Sequence, residues 1–343
     1  MYNHRLILCL LVLGLLIRFI VMPTSFQYRE NTDVLRYKDW GKISYLYGPA
    51  DTYKPDHLSF GTLPNNQPPG STYIIASMYS AHIQAAKIYH KFAGTGPEQN
   101  AFIIGPLLNS FLRLPQIIAD LIIAAIIYSI VKTYRNKRSA LIAASLILFN
   151  PVIIYNSAFW GQMDGLPNMF FILSLFLLLK KHYGWSLFTF LPVLYIKLSL
   201  VFIVPYFFLL LFKLAKKKQL AISLVTSLLF LVIITLPISP NPFSWFTQFI
   251  QTNALGEMQN ITAFAFNFWW TLFAPTIQIN NSTNLFAFSE IRLLGSPDSA
   301  SLFAGLPLFV WSILLFFLAT IPLLNLFLKE KSFKPSLFLP IFW

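Results

Sequence analysis

The sequence predicts an all-α, multi-spanning integral membrane protein, and three observations carry that reading. Of 343 residues, 56% are apolar and only 11% are charged, against about 25% charged in a soluble domain. Several apolar runs approach or exceed the about 20 residues that cross a bilayer. The net charge of +13 is confined to short segments between those runs. Intrinsic disorder is excluded, because it requires low hydrophobicity. A disulfide framework is excluded as well, since Cys9 is the single cysteine.

The predicted spans are Leu6–Pro23, Leu107–Val131, Ala140–Tyr155, Leu166–Leu179, Leu187–Phe212, Leu220–Pro237 and Phe303–Leu328. Leu6–Pro23 lacks a small-residue cleavage site after it and reads as a retained first helix. A last apolar run, Ser336–Trp343, is too short to span. It predicts a fragment whose C-terminal helices lie beyond residue 343.

Charge fixes the sides. Arg5 and the loops 132–138, 180–181, 213–218 and 329–334 hold 14 of the 25 Lys and Arg, and only one acid, Glu330. Basic and acidic residues balance elsewhere. This is the positive-inside pattern, so the basic excess reports topology and gives no support to nucleic-acid binding. With Arg5 inside, the outer loops are about 24–109, 155–165 and 238–302. Thr24–Gln67 is then outside and Lys132–Arg138 inside, so an odd number of crossings lies between them, and two apolar segments compete for it. Pro69–Phe92 contains His82, Gln84, Lys87, His90 and Lys91 and reads as an amphipathic helix on the outer surface. Leu107–Val131 is the crossing.

Lys181 and Lys213 both belong inside, so Leu187–Phe212 must leave and return. That predicts a broken hairpin with Lys197 near its tip, tolerated where backbone lines a protein cavity. One long tilted helix is the competing reading. No internal repeat is present. Three glycosylation sequons, at Asn260, Asn280 and Asn281, fall on the outer side and matter only in a eukaryotic cell.

Candidate site residues lie in the outer loops. Asp33, Tyr37 and Trp40 share one helix face by their spacing. An acid, a phenol and an indole together suit sugar binding, with the carboxylate as a general base. The same residues also suit an N-capped surface helix with an interfacial aromatic stripe. Trp160, Gln162 and Asp164 cluster in the second loop. Asp164 is the only acid between Asp120 and Glu257, and it suits either a helix cap or a functional acid at the hydrocarbon edge. Arg113 and Asp120 lie near one face of a crossing helix, as a structural pair or as polar contacts to a neighbour. Arg18 either snorkels or meets a phosphate. Lys197, at a polar apex, is the better phosphate partner. Asn267 lies within an aromatic-dense segment of the third loop, which suits stacking on a sugar or lipid, or an interfacial re-entry. P-loop, dinucleotide and zinc-protease signatures are absent.

Five segments in order carry a resemblance: Asp33-Val-Leu-Arg-Tyr-Lys-Asp-Trp40, Asn66-Gln-Pro-Pro-Gly70, Leu114-Pro-Gln-Ile-Ile-Ala-Asp120, Trp160-Gly-Gln-Met-Asp164 and Ala265-Phe-Asn-Phe-Trp-Trp270. The chain resembles the GT-C superfamily of polytopic glycosyltransferases, in particular the mannosyltransferase-like branch related to the PIG-V enzyme of GPI-anchor synthesis. The resemblance covers roughly residues 6–330. It implies a single GT-C-like helical bundle over 1–343 whose first outer loop carries two membrane-parallel helices. It implies a polyprenyl-phosphate sugar donor, a lipid or glycan acceptor, and hexosyl transfer, most simply of mannose. Asp33 maps onto the family's catalytic acid and Asp164 onto its second-loop acid. Lys197 maps onto a lysine at the tip of a short helix pair, although Leu198-Ser199 replaces the Pro-Gln that often follows it. Arg18 and Arg113 are further candidates for the leaving phosphate. Two outer acids allow a divalent metal without requiring one. A transporter or flippase of lipid-linked sugars is the alternative function. Membrane lipids are the surroundings in either case, and a prokaryotic plasma membrane with a cytoplasmic N terminus is the expected location.

Overall fold

The computed structural model describes residues 2–27, 32–59, 62–93, 103–254, 305–306 and 308–329. Among these residues the secondary structure is helical, with no strand. Contacts divide the chain into two units, one carrying Met1–Trp245 and the other Phe246–Ser332. The first unit contains α1 (Tyr2–Val21), α2 (Thr32–Tyr47), α3 (Pro69–Ala93), α4 (Leu108–Tyr134), α5 (Lys137–Leu148), α6 (Pro151–Trp160), α7 (Gly165–Leu179), α8 (Tyr183–Ile196), α9 (Val204–Leu214) and α10 (Lys217–Thr235). A short α11 (Pro242–Phe249) follows, and the second unit holds α12 (Leu308–Lys329).

Among the described residues, three helical segments are long and apolar enough to cross a membrane: Arg5–Ser25, Gly105–Tyr134 and Lys217–Thr235. The α5–α6 pair makes a fourth if its 44° bend is part of one span. The chain is thus compatible with an integral membrane protein. The predicted span Ala140–Tyr155 is not one continuous helix but two, bent at Asn150-Pro151. Asn150 side-chain oxygen caps the second at Val152 N, and Pro151 takes its first turn. Proline lacks the N–H that would continue the ladder, so the axis breaks there. The turn Tyr155–Trp160 of α6 is π-helical and stops at Gly161, whose φ is +81°.

The predicted break at Lys197 is present. Its backbone is extended (φ −155°, ψ 135°), and α8 ends on it. A 3-10 turn, Leu198–Ile203, then leads to α9, which opens with Pro205 in its first turn. The chain folds back at this point, since Phe190 on α8 stacks on Phe207 on α9 with centroids 4.0 Å apart. Helices α7 and α8 pack on each other through the tight turn Lys180-Lys181-His182, and Ser186 Oγ donates to Ser174 O across them.

One apolar cluster joins α2, α3 and α4 to the second loop: Val34, Tyr37, Trp40, Ile75, Leu108, Leu112 and Met163. Another joins α1, α4 and α5 through Ile7, Ala124, Tyr128, Ala140, Ala144 and Leu148. Between them sits a buried ion pair. Arg18 on α1 donates from Nε to Asp120 Oδ2 on α4 at 2.9 Å, and from Nη1 to the Leu148 and Gly14 carbonyls. Arg18 is fully buried. Removing one partner of such a pair typically costs about 3–5 kcal/mol, because the other charge is stranded.

The start of α3 meets the ends of α8 and α10. Tyr73 Oη donates to Ile234 O at 2.6 Å, and the Tyr195 and Thr235 hydroxyls bond to each other. Gly70 permits this approach, for a Cβ there would lie 2.6 Å from the Tyr195 carbonyl oxygen.

Candidate functional site

Asp33 lies in the first turn of α2, and α2 is fixed by the buried faces of Val34, Tyr37 and Trp40. Its carboxylate reaches the second loop. Asp33 Oδ2 accepts from Trp160 Nε1 at 2.9 Å and from Gln162 Nε2 at 2.8 Å. The other end of the same Gln162 amide, Oε1, accepts from Lys197 Nζ at 3.1 Å. Lys197 Nζ also pairs with Asp164 Oδ1 at 2.5 Å. Asp33, Trp160, Gln162, Lys197 and Asp164 therefore form one continuous polar cluster drawn from α2, α6, the second loop and the α8–α9 break. Asp164 precedes α7 but makes no cap bond with its side chain, so its carboxylate serves the cluster and not the helix end.

Ammonium nitrogen has three N–H donors. Gln162 and Asp164 use two, which leaves donor capacity for an anionic oxygen. The Lys197 side chain is 26% exposed and that of Asp164 34%, so both are reachable.

Tyr37 closes one side. Its hydroxyl receives Gln67 Nε2 at 3.3 Å and hydrogen-bonds the Met163 backbone. Burial, aided by the charges of Asp33 and Asp164, pushes this phenol well above its ordinary pKa of 10.0. It stays neutral and works as a fixed hydrogen-bonding post. Gln67, which the sequence reading did not single out, is placed by Asn65, whose Oδ1 accepts the Gln67 N–H at 2.8 Å. Asn65 Nδ2 in turn donates to Thr72 Oγ1 in α3. The signal was present in Asn66-Gln-Pro-Pro-Gly70, where two prolines fix the entry to α3. Asp39 shapes the preceding loop: it accepts from Ser59 N, Ser59 Oγ and Thr62 Oγ1 at 2.9, 2.6 and 2.5 Å.

Three candidates stand elsewhere. Trp40 was expected to offer a sugar-binding face, but it is only 1% exposed and its indole N–H donates to Leu63 O. It packs the α2–α3 core. Arg18 was a phosphate candidate, but its guanidinium is committed to Asp120 and two carbonyls. Arg113 was another. It holds Phe159 O through Nε and Nη2, at 3.4 and 3.1 Å, and Asn109 O through Nη1. Gln116 Nε2 adds a bond to Gly161 O at 3.2 Å. Arg113 and Gln116, the latter also missed from sequence, thus fasten the turn that presents Trp160 and Gln162. Asn267 lies outside the described residues.

Among the described residues no group of three or more His, Cys, Asp and Glu is placed to hold a metal. Within the cluster, Asp164 Oδ1 accepts from an ammonium and Asp33 Oδ2 from two N–H donors.

The cluster has a defined height along the helices. At 1.5 Å per residue, Asp164 lies about 24 Å from Lys180 along α7, and Lys197 about 21 Å from Tyr183, the start of α8. Arg18 lies about 20 Å from Arg5, and Asp120 about 18 Å from Lys132, by the same rise. Asp164 and Lys197 thus each lie about four helical turns from the basic end of their own helix.

No known protein-family model matches this chain, and no curated protein matches it by sequence.

Proposed function

We propose that the protein is an integral membrane glycosyltransferase of GT-C-like architecture, moving a hexose, most simply mannose, from a polyprenyl-phosphate donor to an acceptor hydroxyl. The observation that carries this reading is the Asp33–Gln162–Lys197–Asp164 cluster, a carboxylate and an ammonium joined by one amide at the far level of a helical bundle.

Depth supports a lipid-borne substrate. A hydrocarbon core is about 30 Å thick, and the cluster stands roughly 20–25 Å from the basic ends by helix rise. It lies a few ångströms inside the far boundary, where a substrate with an apolar tail and a polar head reaches it laterally from the bilayer. Ionisable groups at that depth are expensive and are kept for use. The basic ends face the cytoplasm in this reading and the cluster faces outward, with α2 and α3 covering it.

In the proposed reaction Asp33 takes the proton of the acceptor hydroxyl. The oxygen attacks the anomeric carbon in line, and the bond from that carbon to the phosphate oxygen breaks with inversion. The leaving polyprenyl phosphate gains negative charge, which the remaining Lys197 N–H stabilises. Asp164 holds the Lys197 ammonium aimed. Trp160 and Gln162 orient the Asp33 carboxylate. Nothing in this scheme needs a nucleotide.

The test is transfer itself. The protein in liposomes, given radiolabelled polyprenyl-phosphate mannose and a set of lipid and glycan acceptors, is expected to yield a labelled acceptor product. Donor that crosses the bilayer unchanged, without product, would replace the transferase with a flippase.

A further inference from the structure

A cavity of about 430 Å³ opens beside the cluster, and Trp160 and Asp164 belong to both. Its polar lining is completed by Asp120, Asn156 and Asn168, and Tyr155 adds an aromatic wall. The volume falls within the usual range of small-molecule sites.

The amides are the informative residues. Neither Asn156 nor Asn168 has a side-chain hydrogen-bond partner among the described residues, and both line this cavity. Asn168 lies one turn into α7 beyond Asp164, about 18 Å from Lys180 by helix rise. Its side chain is exposed at a depth where hydrocarbon supplies no partner. An unsatisfied polar group there costs several kcal/mol, so the amides need a hydrogen-bonding occupant.

The charge of the lining selects that occupant. Asp120 and Asp164 are each already paired with a cation, Arg18 and Lys197, and the cavity's lining includes no lysine or arginine. An anion finds no free cation in this lining and is served by Lys197, beyond Asp164. Amides, carboxylates and the rings of Tyr155 and Trp160, which meet edge to face at 5.8 Å, together match a ring carrying several hydroxyls. Val152 and Tyr155, both exposed, form the cavity's side, which gives such a ring a lateral way in from the bilayer.

We infer that this cavity is a subsite for the uncharged, polyhydroxylated ring of a lipid-linked sugar, held by Asn156 and Asn168 and separated from the phosphate site at Lys197. The inference rests on the transferase reading for the identity of the sugar, and its test stands apart from turnover. The probes are hexyl mannoside and hexyl phosphate, titrated against the full chain in phosphatidylcholine nanodiscs by calorimetry. Hexyl mannoside is expected to bind the wild type. The double variant Asn156→Leu/Asn168→Leu is expected to bind it about tenfold or more weakly, from the loss of two neutral hydrogen bonds, with hexyl phosphate unaffected. Val152→Trp, which fills the cavity without altering a polar group, is expected to abolish hexyl mannoside binding and guards against a misfolded double variant. In turnover, a raised KM for the donor assigns the cavity to the donor's ring, and a raised KM for the acceptor to the acceptor's. Equal hexyl mannoside affinity in the wild type and in both variants overturns the subsite, as does a wild type that takes no hexyl mannoside. Binding without sugar transfer keeps the subsite and removes the transferase. Transfer with an unchanged KM for both substrates in the double variant does the reverse.

Discussion

Gln162 is the hinge of the site at the residue scale. One amide donates to Asp33 and accepts from Lys197, so the carboxylate and the ammonium are held in a fixed relation. Gln162→Leu is expected to lower kcat by about tenfold or more, the value of one or two hydrogen bonds to charged groups, with little change in thermal stability. Steady-state kinetics beside a melting curve checks this, and a kcat equal to wild type would remove the bridge from the mechanism. The buried phenols give a pH expectation. Tyr37 and Tyr53 both titrate well above 10.0 in the folded protein, chiefly through burial. The unfolded chain ionises its phenols from about pH 10, so it gains on the folded state above that point. Stability should be level below about pH 9 and fall as pH rises past about 10, with a shallower fall in Tyr37→Phe and Tyr53→Phe. Melting curves across this range decide it. Single residues were legible in sequence where charge is costly. Asp164 and Lys197 stood out for that reason, Asp33 by sharing a helix face with Tyr37 and Trp40, and the structure brings the three together. Arg18 and Arg113 carried the same charge signal, and the sequence could not tell which carbonyl or acid each would meet. Arg18 finds Asp120, a residue 102 positions away.

At the scale of elements, turns govern the site more than helices do. Gly161 ends the π-helical turn of α6 at φ +81° and sits where a Cβ would lie 3.0 Å from Arg113 Cγ. Arg113 cannot easily yield, since it holds Phe159 O on that same turn. Gly161→Ala is expected to cost about 1–3 kcal/mol of stability, the usual range for a side chain forced into such backbone. It should also lower kcat, because Trp160 and Gln162 flank it. A variant that melts and turns over like wild type would contradict this account of the turn. The break at Lys197 was readable from two basic loops that had to share a side. The break at Asn150-Pro151 was not read, although Asn before Pro is a turn signal, because the apolar run alone suggested one crossing. Helix α3 shows what periodicity leaves open. Its span was predicted almost residue for residue, but its role as the roof that carries Gln67 and Gly70 against α8 depends on distant partners.

For the whole molecule, the governing feature is the distance of the polar cluster from the basic helix ends, about 20–25 Å along α7 and α8. The gathering of basic residues at one set of helix ends was visible in the sequence before any coordinates, because bilayer energetics act on composition directly. The meeting of α2, α6, α7 and α8 at one point was not visible, since it follows from packing between segments far apart in sequence. The sidedness has its own check. In a Cys9→Ser background, a cysteine at Lys54 is expected to react with an impermeant maleimide from outside intact cells, and one at Asn136 only after the membrane is opened. Labelling of both from one side would invalidate the topology. The central claim, that Asp33 is the base of a sugar transfer, is tested most directly by Asp33→Asn. Asparagine preserves an oxygen for Trp160 and Gln162 but cannot take the acceptor's proton, so transfer from polyprenyl-phosphate mannose should fall by about 100-fold or more while donor binding and melting stay unchanged. Equal turnover by Asp33→Asn and wild type would contradict the account.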